Sequence, residues 1–268
     1  MIEPIPVVFE SKDANVHGFF YKAYSVKPLS TVVLCHGHPG NSKDVLGLGE
    51  RLMKEGFNAL AFNYRGTWES KGLFTFGNSL EDVVSAIRYV TSSVAIREFD
   101  VDSSNITVIG HSYGGAMALL GSLNSPEVGR VVSTFGADPS EVGRKMQESD
   151  EFKRAILKGF DQDTYDSGIR SPKAEDLFAE VFADMDKYDL VKHAEALSNK
   201  DILLIGGWRD QWCPIEHHIL PLFRALQRYG AKQVKIEMFD VEHSFANIKN
   251  QVADRIASWL RRTPSQIQ

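Results

Sequence analysis

The chain has 268 residues, 43% hydrophobic and 24% charged, with a formal net charge of −5. That length suits one large α/β domain with a wide sheet and does not demand two. The acidic balance and the lack of a dense Lys/Arg run argue against nucleic-acid binding, no apolar run reaches transmembrane length, and Met1-Ile2-Glu3-Pro4-Ile5-Pro6 lacks the basic-then-apolar pattern of a signal peptide. A cytoplasmic protein with no nucleic-acid and no membrane partner is expected.

Residues 7–24 read as two strands around the turn formers of Lys12-Asp13-Ala14-Asn15. From residue 31 short apolar strands alternate with amphipathic helices, the pattern of a parallel sheet built from βαβ units. Predicted strands cover 31–35, 58–63, 105–110, 130–135, 201–206 and 234–239. Nearly continuous apolar runs such as Ile202-Leu203-Leu204-Ile205 fit strands covered on both faces. Predicted helices cover 42–55, 79–91, 113–123 and 214–229, with Ser79 and Asp82 resembling a capping box. A last helix spans 245–261, its stripe Phe245, Ile248, Val252, Ile256 and Leu260 at helical spacing. Residues 139–187 interrupt the alternation with charged, helix-like stretches and no strand. They read as an inserted helical cap within a single domain of 1–268.

Gly110-His111-Ser112-Tyr113-Gly114 is G-x-S-x-G, set between an apolar strand and an Ala/Leu-rich helix. That strand–turn–helix setting is the context the motif needs, because a strained turn exposes the serine hydroxyl at the strand tip. A serine hydroxyl is a poor nucleophile without a base. Among the eight histidines, His243 in Val241-Glu242-His243-Ser244-Phe245 follows the last strand and precedes the last helix, so it is the candidate base. His17, His193, His217 and His218 read as surface or packing residues, and the His111 side chain is expected to point away from that of Ser112. Asp210, just past the strand at 201–206, is the candidate acid that fixes the tautomer of the base. Asp138, at the end of the preceding strand, is its rival; Asp240 and Glu242 share the base's own loop.

His36-Gly37-His38-Pro39-Gly40-Asn41 follows the first parallel strand. A glycine-bearing turn there lets backbone amides face a reacting carbonyl, and the expected oxyanion donors are the amides of His38 and Tyr113. A metal held by His36 and His38 would need further ligands in register, and neither H-x-H-x-D nor H-E-x-x-H occurs, so no metal and no cofactor is expected. Trp68, Tyr165 and Trp212 are the candidate pocket residues, with Phe152, Phe160, Phe178 and Phe182 of the insert either lining a pocket or packing the cap. Asp161, Asp163 and Asp166 read as a solvated face. Cys35 and Cys213 read as structural, a disulfide between them being left open.

With the elbow, the His36-Gly37 turn and the acid and base in that order, the chain resembles the α/β-hydrolase family over nearly its whole length outside the insert. Asn63-Tyr64-Arg65-Gly66 is a further turn common in that family. Within it the chain looks most like the serine esterase branch related to dienelactone hydrolases and to feruloyl and cinnamoyl esterases. It departs from dienelactone hydrolases in having serine where they use cysteine, and from prolyl-oligopeptidase-like peptidases in lacking a propeller domain. The resemblance implies hydrolysis of a small-molecule carboxylic ester through an acyl-enzyme. A thioesterase, amidase or small peptidase would use the same three residues, and a ligand-binding protein on this fold would not need all three. The strand edges and the C-terminal helix are compatible with a homodimer.

Overall fold

The computed structural model describes residues 3–43 and 45–262. An N-terminal hairpin, β1 (Ile5–Ser11) and β2 (Ala14–Tyr21), turns at Lys12 and Asp13. Then come β3 (Leu29–Cys35), α1 (Leu48–Lys54), β4 (Asn58–Phe62), α2 (Phe76–Val90), α3 (Ser93–Phe99), β5 (Val101–His111), α4 (Tyr113–Ser122) and β6 (Val128–Thr134). The segment after β6 holds α5 (Pro139–Glu148), α6 (Asp150–Asp166), α7 (Ala174–Ala183), α8 (Met185–Tyr188) and α9 (Ala194–Leu197). The chain closes with β7 (Asp201–Gly207), α10 (Ile215–His218), α11 (Leu220–Arg228), β8 (Val234–Phe239) and α12 (Lys249–Leu260).

The strands form one sheet in the order β1-β2-β4-β3-β5-β6-β7-β8. β1, β2 and β4 pair antiparallel, and from β4 to β8 every pair is parallel. The period-two alternation divides each central strand between two cores. Val33, Leu60, Val108, Val131 and Leu204 face α2, α4, α11 and the insert. Val32, Leu34, Ala61, Val132 and Leu203 face α1 and α12. Helices on both faces are why these strands read as unbroken apolar runs.

Several helix boundaries differ from expectation, each for a backbone reason. The predicted helix at 42–55 is only α1, because Leu46 and Gly47 both have positive φ (59° and 65°) and a right-handed helix cannot run through them. The predicted 214–229 helix is divided at Ile219, where Pro221 starts a new helix. Phe245 is left-handed (φ 30°), so a 3₁₀ turn over Ala246–Ile248 separates it from α12. α2 begins three residues before Ser79: Thr75 caps it, accepting from the Asn78 amide, while Ser79 and Asp82 lie buried within it. α3 lies outside the predicted elements and is capped by Ser92, whose hydroxyl accepts from the Ala95 amide. Cys35 and Cys213 are buried and free. Among the described residues, no helix is long and apolar enough to cross a membrane.

Candidate active site

The parallel strands direct their C-terminal ends to one edge, where the loops after β3, β5, β7 and β8 meet. The G-x-S-x-G glycines are explained by space there. A Cβ on Gly110 would stand 1.9 Å from the Gly114 carbonyl oxygen, and one on Gly114 would stand 2.3 Å from the Cys35 carbonyl oxygen. Only glycines let β5, α4 and the end of β3 come this close. Between them Ser112 has φ 53° and ψ −121°, a strained conformation costing about 1–3 kcal/mol and held by its surroundings. Its amide donates to the Thr134 carbonyl (2.8 Å) and its carbonyl accepts from Gly115 (2.9 Å).

The Ser112 hydroxyl projects toward His243, whose Nε2 lies 2.9 Å from Oγ. Nδ1 of the same ring lies 2.7 Å from Oδ2 of Asp210. The other Asp210 oxygen accepts the amides of Trp212 (3.0 Å) and Cys213 (2.8 Å). Burial pushes the Asp210 carboxyl up, but the His243 hydrogen bond and charge, with those two amides, outweigh it and hold the carboxyl below its ordinary value. The acid and base loops are tied together. Trp208 donates to Phe239 and Arg209 to Val241, and Gly207 packs where a Cβ would meet the Val241 carbonyl at 2.4 Å. A stacked pair, Phe135 and Phe245 (4.5 Å), supports the ring of His243 edge-on through Phe135.

The rival acid Asp138 is occupied elsewhere. It caps α5, accepting the amides of Ser140 and Glu141, and also takes the Leu190 amide. Burial raises its pKa to about 7. His218 is buried and accepts from the Asp138 amide, His217 pairs with Glu141, and His193 faces the Lys187 carbonyl. His17 lies in β2, on the antiparallel side. His111 is closer to the site than its place in sequence suggested: its ring is 5.6 Å from that of His243 and is held neutral, mainly by burial, with a pKa of about 3.

The loop after β3 abuts the elbow, since a Cβ on Gly37 would lie 3.3 Å from the Ser112 Cβ. That places the His38 backbone beside the serine, while Tyr113 is the first residue of α4, whose initial amides have no partner within the helix. Among the described residues, Asp210, Cys213 and His243 bring potential metal-ligating atoms within 4.8 Å of one another. They do not suit a cation: both His243 nitrogens are engaged, and burial pushes the Cys213 thiol well above its ordinary pKa.

A cavity of about 310 Å³ opens on Ser112 and His243 beneath the inserted helices, its walls including Phe76, Val142, Ile156, Phe160, Phe178 and Trp212. Of the three pocket candidates only Trp212 is on it. Trp68 is half exposed and donates its indole N–H to the Gly40 carbonyl (3.0 Å), and Tyr165 is 83% exposed on the outer face of α6. Phe160 and Phe178 line the cavity, whereas Phe152 and Phe182 pack against the core. The inward stripe Ile156, Gly159, Phe160, Asp163 follows helical spacing and was the signal available in the sequence. A second cavity of about 370 Å³ meets the same serine from the other side, between the β3 loop and α12.

A family model described as serine aminopeptidase, S33, matches residues 26–146. The quorum-quenching protein AidA of Acinetobacter baumannii is 29% identical over 135 residues, covering 48% of this chain and 43% of that protein. The match therefore spans less than half of that relative. The esterase Pf2001 of Pyrococcus furiosus superposes with a TM-score of 0.69 at 20% identity, covering 97% of this chain and 91% of its own. The Pyrococcus horikoshii acylaminoacyl peptidase does so with a TM-score of 0.71 at 18% identity, covering 99% of this chain and 42% of its own. The fold is the α/β-hydrolase fold, a mostly parallel eight-stranded sheet flanked by helices.

Proposed function

We propose that this protein is a serine hydrolase that cleaves carboxylic esters through an acyl-enzyme. The observation that carries the reading is the continuous Ser112–His243–Asp210 chain, with links of 2.9 and 2.7 Å, opening on a largely apolar cavity. Asp210 keeps the proton of His243 on Nδ1, leaving Nε2 to accept the Ser112 proton. The serine oxygen attacks the acyl carbonyl, and the amides of His38 and Tyr113 hold the developing oxyanion, each worth roughly 3–4 kcal/mol of barrier. His243 protonates the departing alcohol, then activates the water that releases the acid. No step calls for a metal or cofactor. Free buried thiols at Cys35 and Cys213 fit a cytoplasmic setting within this reading. The serine aminopeptidase match and the acylaminoacyl peptidase neighbour favour amide cleavage as the second reading, since the same residues serve both.

The test is hydrolysis of short-chain and aromatic nitrophenyl esters beside matched anilides and thioesters, by the parent and by Ser112→Ala. Ester turnover that vanishes in Ser112→Ala is expected. Turnover confined to anilides would move the assignment to the peptidase reading, and inert but folded parent protein would reject hydrolysis.

A further inference from the structure

The wall of the cavity under the cap is largely apolar; beyond the catalytic groups its polar side chains are the Tyr113 phenol, the Trp212 indole, the Cys213 thiol, Asp163 on exposed α6 surface and the His38 ring. The His38 imidazole is sandwiched between Phe74 (5.0 Å between centroids, 23°) and Phe160 of α6 (4.6 Å, 9°). Both of its nitrogens are buried and neither has a hydrogen-bond partner; the Phe160 carbonyl bears on the ring but falls short of a hydrogen bond. Burial and the neighbouring His36 keep the ring neutral, with a pKa of about 4. It therefore offers one N–H donor and one bare acceptor, held at a fixed angle by two aromatic faces.

A polar group buried without a partner is penalised, and a ligand that supplies the partner recovers the loss. Sites built this way reject analogues that lack the matching group far more strongly than apolar walls reject a change of size. We propose that the His38 ring is the specificity-determining group of this cavity, and that the part of the substrate held there carries a hydroxyl or an amide that hydrogen-bonds to it. The proposal rests on the ester-hydrolase reading, and concerns the His38 side chain rather than its backbone amide.

The experiment compares kcat/KM, within one preparation of each protein, for butyl butanoate, its 2- and 3-hydroxyacyl analogues, the monobutanoate of butane-1,3-diol, and butyl N-acetylglycinate. The parent is expected to favour at least one polar ester over butyl butanoate by about tenfold or more. In His38→Phe, which keeps an aromatic ring between Phe74 and Phe160, that ratio falls to near one, and in His38→Gln it partly recovers. Because each ratio is internal, a variant's folded fraction cancels. A parent that hydrolyses butyl butanoate but shows no polar preference, or a preference that persists in His38→Phe, overturns the proposal while leaving the hydrolase reading intact. No turnover of any ester, together with no labelling of Ser112 by a fluorophosphonate, overturns both.

Discussion

Asp210→Asn isolates what the carboxylate does. Oδ1 of Asp210 accepts two amides, Trp212 and Cys213, while Oδ2 faces His243 Nδ1 at 2.7 Å. In the variant the amide oxygen keeps the two backbone bonds, so the –NH₂ group takes the position facing Nδ1. A donor there forces Nδ1 to become the acceptor and moves the ring proton to Nε2, which then cannot accept the proton of Ser112 at 2.9 Å. The loop is preserved and the base is lost. The expected fall in kcat is about 10⁴, or roughly 5.4 kcal/mol at 1.36 kcal/mol per decade. Nitrophenyl ester turnover measures it, with thermal melting to confirm that the variant is folded. A folded Asp210→Asn protein whose kcat stays within about tenfold of the parent would refute the argument and return attention to Asp138.

Other expectations follow from packing and charge. Gly114→Ala places a methyl 2.3 Å from the Cys35 carbonyl oxygen, a backbone atom that cannot yield cheaply, so a loss of about 1–3 kcal/mol in urea unfolding is expected along with lost turnover; parent-like stability would contradict the elbow geometry. Arg65 is buried against Asp82, which also accepts from Ser11, and Arg65→Met should cost about 3–5 kcal/mol by stranding that carboxylate, with partial recovery in the double variant carrying Asp82→Asn; a change below 1 kcal/mol would show the cluster to be dispensable. Burial holds His36 and His38 near pKa 4 and His111 and His218 near 3, below the ordinary value of about 6.5. Below that value the unfolded chain binds more protons, so each removes up to about 1.4 kcal/mol of stability per pH unit as pH falls from about 6.5 toward 4. Asp138, raised to about 7, acts in the opposite sense and offsets one of them. Chemical denaturation at pH 7 and pH 5 should show a clear net loss at pH 5, and unchanged or higher stability there would contradict the neutral burial of these rings.

The central sheet was legible because each parallel strand is short, apolar and followed by a helix, and every predicted strand lies within or close to an observed one. The hairpin was legible from the turn formers Asp13 and Asn15, although the turn itself falls on Lys12 and Asp13 and Asn15 already belongs to β2. Helix starts were not, because they depend on single backbone angles: nothing in the composition of residues 42–47 announces the left-handed pair Leu46 and Gly47. The serine, acid and base were placed by their positions after strands, and the loops that carry them meet because all those strands point the same way. The pocket was poorly read. Exposed tryptophan and tyrosine look the same in sequence whether they face a cavity or water, and Trp68 and Tyr165 face away. The residues that do line it, such as Phe76 and Phe178, come from α2 and α7, whose approach is fixed in part by Glu180 of α7 bonding the Gly77 amide and the Tyr188 hydroxyl.

The central claim is that Ser112 becomes acylated during turnover. Rapid acid quenching during hydrolysis of a slow nitrophenyl ester, followed by peptide mass mapping, tests it directly. An added acyl mass is expected on the peptide containing Ser112, absent in Ser112→Ala together with steady turnover. Undiminished nitrophenol release by Ser112→Ala, or an acyl mass on another residue, would contradict it.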